Sequence, residues 1–100
     1  MKYNLNKSLI AFNGIEIKDD ATGKPADLRA TLERVCLNCD PRIHASGEEK
    51  IKIYRLLKRI HDAADDVEFS SEEVTLLKTL AAEVYTLAVM GPLYEILEQQ

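Results

Sequence analysis

Asn13-Gly14 is preceded by the apolar residues 9–12 and followed by Ile15 and Ile17, which alternate with Glu16 and Lys18. A period of two is typical of a β-strand, and Asn-Gly accepts the positive φ angles of a tight type I′ turn. The pattern therefore predicts a β-hairpin over residues 7–19. Its cross-strand pairs would be Phe12 with Ile15 and Ile10 with Ile17. Since those four side chains would share one face, we expect helices to cover that face, with Glu16 and Lys18 turned outward.

Beyond the hairpin, apolar residues recur at intervals of three and four, which is the period of amphipathic helices. Asp27 is the expected N-cap of the first helix, and Ser-x-x-Glu sequences at Ser46 and Ser70 match the capping box that begins a helix. The dipeptides Asp40-Pro41 and Gly91-Pro92 are expected to end helical stretches. The predicted helices span about 27–39, 46–64, 71–90 and 92–98.

The order of these elements predicts an α+β fold, with an N-terminal β-hairpin packed on a bundle of three to four helices. The 100 residues are 46% hydrophobic and 30% charged, which is typical of one globular domain. No long linker or tandem repeat divides the sequence, so we expect a single domain over residues 1–100. A domain of this size has a modest net stability, and self-association is an option for it.

The formal net charge of −4 argues against a general nucleic-acid binder, because such proteins neutralise phosphates with many Lys and Arg side chains. No apolar run of signal-peptide length follows the N-terminus, and no stretch approaches the ~18 apolar residues of a membrane span. We therefore expect a cytoplasmic protein that has no membrane partner.

The sequence Cys36-Leu37-Asn38-Cys39 is the arrangement with the clearest chemical potential. A C-x-x-C pair is half of many zinc sites, and His44 and His61 would supply two further ligands. Both cysteines also lie on the apolar stripe of the first predicted helix, where free cysteines are commonly buried, so core packing is the interpretation we prefer. A redox pair would require a preceding strand in a βαβ unit, which the order of elements does not provide.

No catalytic Ser, His and Asp order and no glycine-rich phosphate loop is recognisable in the sequence. We therefore predict a protein that is not an enzyme and that uses no cofactor. Two surfaces are candidates for partner binding. The first is a basic strip on the second helix, formed by Lys52, Arg55, Lys58 and Arg59. The second is the apolar C-terminal run, represented by Leu87, Met90, Leu93 and Tyr94. For the first, an ordinary solvated helix face is the interpretation we prefer, and for the second, a buried central helix is an equal alternative.

Several stretches of the chain together carry a family resemblance. They are Leu5-Asn6-Lys7-Ser8-Leu9, residues 13–19, Ser46-Gly47-Glu48-Glu49-Lys50, residues 67–73, Val84-Tyr85-Thr86 and residues 93–98. In these the chain resembles a loose family of small tailed-phage and prophage proteins, largely of uncharacterised function. The resemblance implies a phage-encoded protein in the host cytoplasm, and it transfers no functional residues. The pair Cys36 and Cys39 is not part of the shared pattern.

The leading hypothesis is a phage or prophage protein-interaction module, acting as an accessory in particle assembly or as a modulator of a host protein. Its partner would be a phage protein, a host protein or a second copy of itself. The alternative is a nucleic-acid-associated regulator that uses the basic strip, and the third hypothesis is a zinc-stabilised small domain.

Overall fold

The computed structural model describes residues 2–18, 23–39 and 46–98. These residues form an α+β fold that combines four helices with a small amount of antiparallel β-structure. The elements in chain order are β1 (Lys2–Asn4), α1 (Leu28–Leu37), α2 (Gly47–Asp62), β2 (Asp66–Glu68), α3 (Ser71–Val84) and α4 (Leu87–Glu98). Helix α1 lies against both α2 and α3, and α3 lies against α4.

The two named strands join distant parts of the chain. β1 pairs with β2 in antiparallel register, with Tyr3 opposite Val67. Tyr3 is buried, its ring centroid lies 5.6 Å from that of Phe69, and its hydroxyl donates to the Leu97 carbonyl at 2.5 Å. The N-terminus is thus fixed to the segment before α3 and to the end of α4.

Hydrogen bonds connect the start of α1 to the N-terminal segment and to the end of α2. At the start of α1, the Leu28 and Arg29 N–H groups donate to the Lys7 and Leu5 carbonyls, and the Ala30 N–H donates to Asp27 Oδ1 at 2.8 Å. Asp27 is therefore the N-cap expected from the sequence. The Arg29 guanidinium reaches the end of α2, where it donates to the carbonyls of Ile60 (2.6 Å), His61 (3.1 Å) and Ala64.

The hairpin predicted around Asn13-Gly14 forms, but its turn differs from the predicted one. Gly14 has a φ of 81°, whereas Asn13 has no positive φ, so the turn cannot be type I′, which needs both. The loop instead contains three residues, Phe12-Asn13-Gly14, with glycine in the left-handed position. Its hydrogen bonds run from the Gly14 N–H to the Ala11 carbonyl, from the Ala11 N–H to the Ile15 carbonyl, and from the Ile17 N–H to the Leu9 carbonyl, each at 2.9 Å.

The longer loop shifts the register by one residue, so that Ile10 faces Glu16 instead of Ile17. A one-residue shift moves side chains to the opposite face of a strand. Leu9 is fully buried and Ile17 packs against the core, whereas the other members of the predicted covered face are in solvent. The expectation that helices cover Ile10, Phe12 and Ile15 is therefore wrong, because the side chain that the core takes from this strand is Leu9.

The boundary between the last two helices also differs from the prediction. The chain is extended at Tyr85, and α4 then continues through Gly91-Pro92, where a break was predicted. Proline removes the N–H that would bond to the Ala88 carbonyl. Ala88 is exposed, so water can hydrate that carbonyl, and Gly91 lacks the Cβ that crowds against a following proline. The helix can therefore pass through this dipeptide.

The hydrophobic core draws on both strands, all four helices and the segments beside them. Its largest fully buried side chains include Leu5, Leu9, Leu32, Phe69, Leu77 and Leu93. Within the described ranges, no helix has the length and apolar character needed to cross a membrane.

Candidate interaction surface

The shifted hairpin leaves large apolar side chains in solvent beside the start of α4. Their exposed fractions are 91% for Phe12, 77% for Leu87, 64% for Ile15 and 49% for Ile10. We call these four residues the tip surface. Scattered exposed apolar residues are common, but Ile10, Phe12 and Leu87 line one groove, and a contiguous group of this kind is typical of an interaction site.

A groove of about 760 Å³ separates the hairpin from α4. We call it the tip groove. Its walls are formed by Ile10, Ala11, Phe12, Leu87, Ala88, Gly91, Pro92 and Glu95. Of these, Glu95 alone carries a charge, so the groove is mostly apolar. Its size lies within the range of sites that enclose a small ligand or several side chains of a partner.

Two residues of α4, Gly91 and Pro92, shape the wall of this groove. A Cβ added to Gly91 would meet no atom within 4 Å, so nothing fills the space above this residue. Pro92 has no N–H to donate to the Ala88 carbonyl, and both residues line the groove. The groove can therefore accept apolar side chains, and hydrogen bonds can be donated to the Ala88 carbonyl or to the Glu95 carboxylate.

The candidate residues of the C-terminal run divide between surface and core. Leu87 belongs to the tip surface, and Met90 is half-buried. Leu93 is fully buried, so it cannot contact a partner in this conformation. The Tyr94 ring packs against the core, its hydroxyl donates to the Lys78 carbonyl at 2.8 Å, and the Lys78 ammonium lies 5.7 Å from the ring centre. Leu93 and Tyr94 therefore hold α4 in place.

Arg59, a member of the predicted basic strip, has a structural role. Its guanidinium forms two hydrogen bonds with the Glu73 carboxylate, at 2.7 and 2.9 Å, and donates to the Glu68 carbonyl at 2.8 Å. It also lies 5.6 Å from the centre of the Phe69 ring. The hydrogen bond from Arg59 lowers the pKa of Glu73, which keeps this carboxylate ionised. Arg59 thus links α2 to the start of α3.

The remaining cations of the strip, Lys52, Arg55 and Lys58, are exposed. Lys52 and Arg55 line an open depression between α2 and α3 that is also lined by Glu48 and Glu73. Glu72 and Glu49 lie close by, in the adjoining depression that Lys52 also lines. The surface is therefore of mixed charge, which differs from the continuous positive potential of a nucleic-acid groove.

The zinc candidates do not converge in the described part of the chain. Cys36 is buried, and burial, followed by the neighbouring Cys39 and Glu33, raises the pKa of its thiol to about 12. The Cys39 thiol donates to the Cys36 carbonyl at 3.5 Å, and His61 Nδ1 lies 3.1 Å from Glu33 Oε1. Across residues 2–18, 23–39 and 46–98, no group of three or more His, Cys, Asp or Glu side chains is placed to hold a metal ion. His44 lies outside the described residues.

Comparison of the chain with known protein families, with curated proteins and with solved structures finds no match in any of the three. The functional interpretation therefore depends on the surface itself. Sequence reasoning identified Leu87 but missed Ile10, Phe12 and Ile15, because it placed them in the core. The sequence is also compatible with a hairpin that has a three-residue loop, and in that register Leu9 and Ile17 face the core. Weighing this second register would have indicated the exposed residues.

Proposed function

We propose that this chain is a non-catalytic protein-interaction module whose contact site is the tip surface with its groove. The observation that supports this is the exposure of Ile10, Phe12 and Leu87 around a groove whose walls contain one charged residue, Glu95. Removing apolar surface of this extent from water is favourable, and such surfaces commonly bind a partner. In line with the resemblance to small tailed-phage and prophage proteins, the setting we propose is a bacterial cytoplasm during phage or prophage expression.

Within this proposal, an assembly accessory and a modulator of a host protein use the same surface. Both need a partner that presents apolar side chains, since the groove offers little charge for an ionic contact. The alternative, a nucleic-acid regulator, has weaker support. Arg59 of the basic strip is paired with Glu73, and Lys52 and Arg55 lie beside carboxylates on a chain of net charge −4.

Site-specific photo-crosslinking in cells tests the proposal. A benzophenone amino acid replaces Phe12 in one variant and Arg55 in a matched variant, since both positions are exposed. We expect protein adducts of defined mass from position 12, and we expect them to disappear when Leu87→Asp introduces a charge beside the groove. Adducts that form only from position 55, or that contain nucleic acid, would contradict the proposal.

A further inference from the structure

We propose that the tip groove is occupied by a second copy of this chain, related by a two-fold axis, so that Phe12 of each copy enters the groove of the other. This inference rests on the proposed function, because it names the partner of the same surface. Of the partners that an apolar groove could accept, the proposed one is a second copy in a closed homodimer.

The first argument is that one face carries both a projection and a depression. Phe12 stands at the end of the hairpin with most of its side chain in solvent, and the groove begins directly beside it. A two-fold interface uses the same patch on both copies, so the patch must complement itself. A protruding aromatic ring adjacent to an apolar groove satisfies that condition, and each copy would contribute one ring and one groove.

The second argument is the area available. Fully exposed side chains of this size present roughly 100–200 Å² each, so Ile10, Phe12 and Leu87, which line the groove, expose on the order of 300–400 Å² of apolar surface. A standard interface buries about 800 Å² per partner, and the apolar share in homodimers is about 65%, which corresponds to roughly 500 Å². These three residues therefore supply most of the apolar area that a stable dimer needs.

The third argument is charge. Each copy has a net charge of −4, so two copies repel each other unless they meet where few charges lie. Glu95 is the one charged residue in the walls of the tip groove, whereas the open depressions on α2 and α3 are lined by several carboxylates. The tip surface is thus a face that a like-charged copy can approach. Since salt screens the repulsion, we expect association to be unchanged or stronger at higher salt.

Sedimentation velocity over a concentration series tests the dimer. The expected result is a reversible shift from 11.3 kDa towards twice that mass as concentration rises. Phe12→Ser and Leu87→Ser should each weaken self-association by about thirtyfold or more, as truncation of a central aromatic or aliphatic anchor does. Tyr54→Ser is the matched control, because Tyr54 is an exposed aromatic residue on α2 and its loss should leave the dimer unchanged.

Circular dichroism and urea unfolding verify that each variant is folded, which we expect because the altered side chains are exposed. A chain that stays monomeric throughout the series, a dimer that survives both Phe12→Ser and Leu87→Ser, or open-ended polymers would each overturn the inference. If the chain is monomeric but position 12 still crosslinks to another protein, the inference fails and the proposed function stands. If position 12 yields no adduct with any protein, both fail.

Discussion

The two phenylalanines of this chain lie in regions that use their side chains in opposite ways. Phe69 is 1% exposed, with its ring against Tyr3 and beneath the Arg59 guanidinium. Phe12 is almost fully exposed at the end of the hairpin. Around Phe69, charged and polar groups fasten helices together, whereas at the tip surface apolar groups face solvent.

The comparison shows that the role of a side chain follows from its partners more than from its chemical class. Arg29 and Arg59, which would ordinarily be surface charges, bind carbonyls and a carboxylate and so fix α1, α2 and α3. The hairpin, in contrast, is held by backbone hydrogen bonds and by Leu9. It therefore does not depend on Ile10, Phe12 or Ile15, and these residues are available for a partner.

The sharpest test of this contrast is truncation of each phenylalanine. Phe69→Ala should lower the free energy of unfolding by about 3–5 kcal/mol, because it removes a fully buried ring and leaves a cavity next to Tyr3 and Arg59. Phe12→Ala should change it by less than about 0.5 kcal/mol in a sample dilute enough to be monomeric. Urea unfolding followed by circular dichroism measures both values. Equal losses for the two variants would show that the hairpin tip is packed in the folded chain.

The second test concerns the arginines. Arg29→Met retains much of the apolar stem but removes the donors to the last carbonyls of α2, and we expect a loss of about 2 kcal/mol in the free energy of unfolding. Arg55→Met is the control, since Arg55 is exposed and should contribute within about 0.5 kcal/mol. If the two variants unfold at the same urea concentration, Arg29 does not have the stabilising role we assign to it.

Much of the helical architecture was predictable, because its signals are local. The Ser46 and Ser70 side chains accept hydrogen bonds from Glu49 and Glu73, and Asp27 caps α1, as the sequence indicates. The β1–β2 pairing was not predictable, since each strand has three residues with one buried side chain and its partner lies far away in sequence. No periodicity can be read from so short a segment.

The candidate surface was harder to predict than the fold, for a related reason. An Asn-Gly sequence is compatible with a two-residue or a three-residue loop, and the two differ by one position in register. That single position decides whether Ile10 and Phe12 lie in the core or in solvent. The choice depends on the fit of Leu9 into the core, which is a tertiary contact. For the same reason the ion pair of Arg59 with Glu73 could not be inferred from helix spacing.

The smallest expected effect is the pH dependence of that ion pair. Arg59 lowers the pKa of Glu73 in the folded chain, so the pair stabilises the fold above the ordinary carboxyl pKa of 4.5 and loses this contribution as the pH falls through the lower, folded-state value. Glu73→Gln keeps a side chain that can complete the capping box but removes the charge. Because both side chains are partly exposed, we expect a loss of only about 0.5–1 kcal/mol at pH 7.

The measurement is the free energy of unfolding of the wild type and of Glu73→Gln between pH 7 and pH 2. The difference between the two free energies should narrow below about pH 4.5, because protonation of Glu73 makes the wild-type side chain neutral, as Gln is at every pH. Glu72→Gln removes a carboxylate from the same first turn of α3 without touching Arg59, so it corrects for the helix dipole. A difference that stays constant down to pH 2, or that Glu72→Gln reproduces in full, would contradict this prediction. The stabilisation would then come from the helix terminus, and Arg59 would contribute only through its contacts with the Glu68 carbonyl and the Phe69 ring.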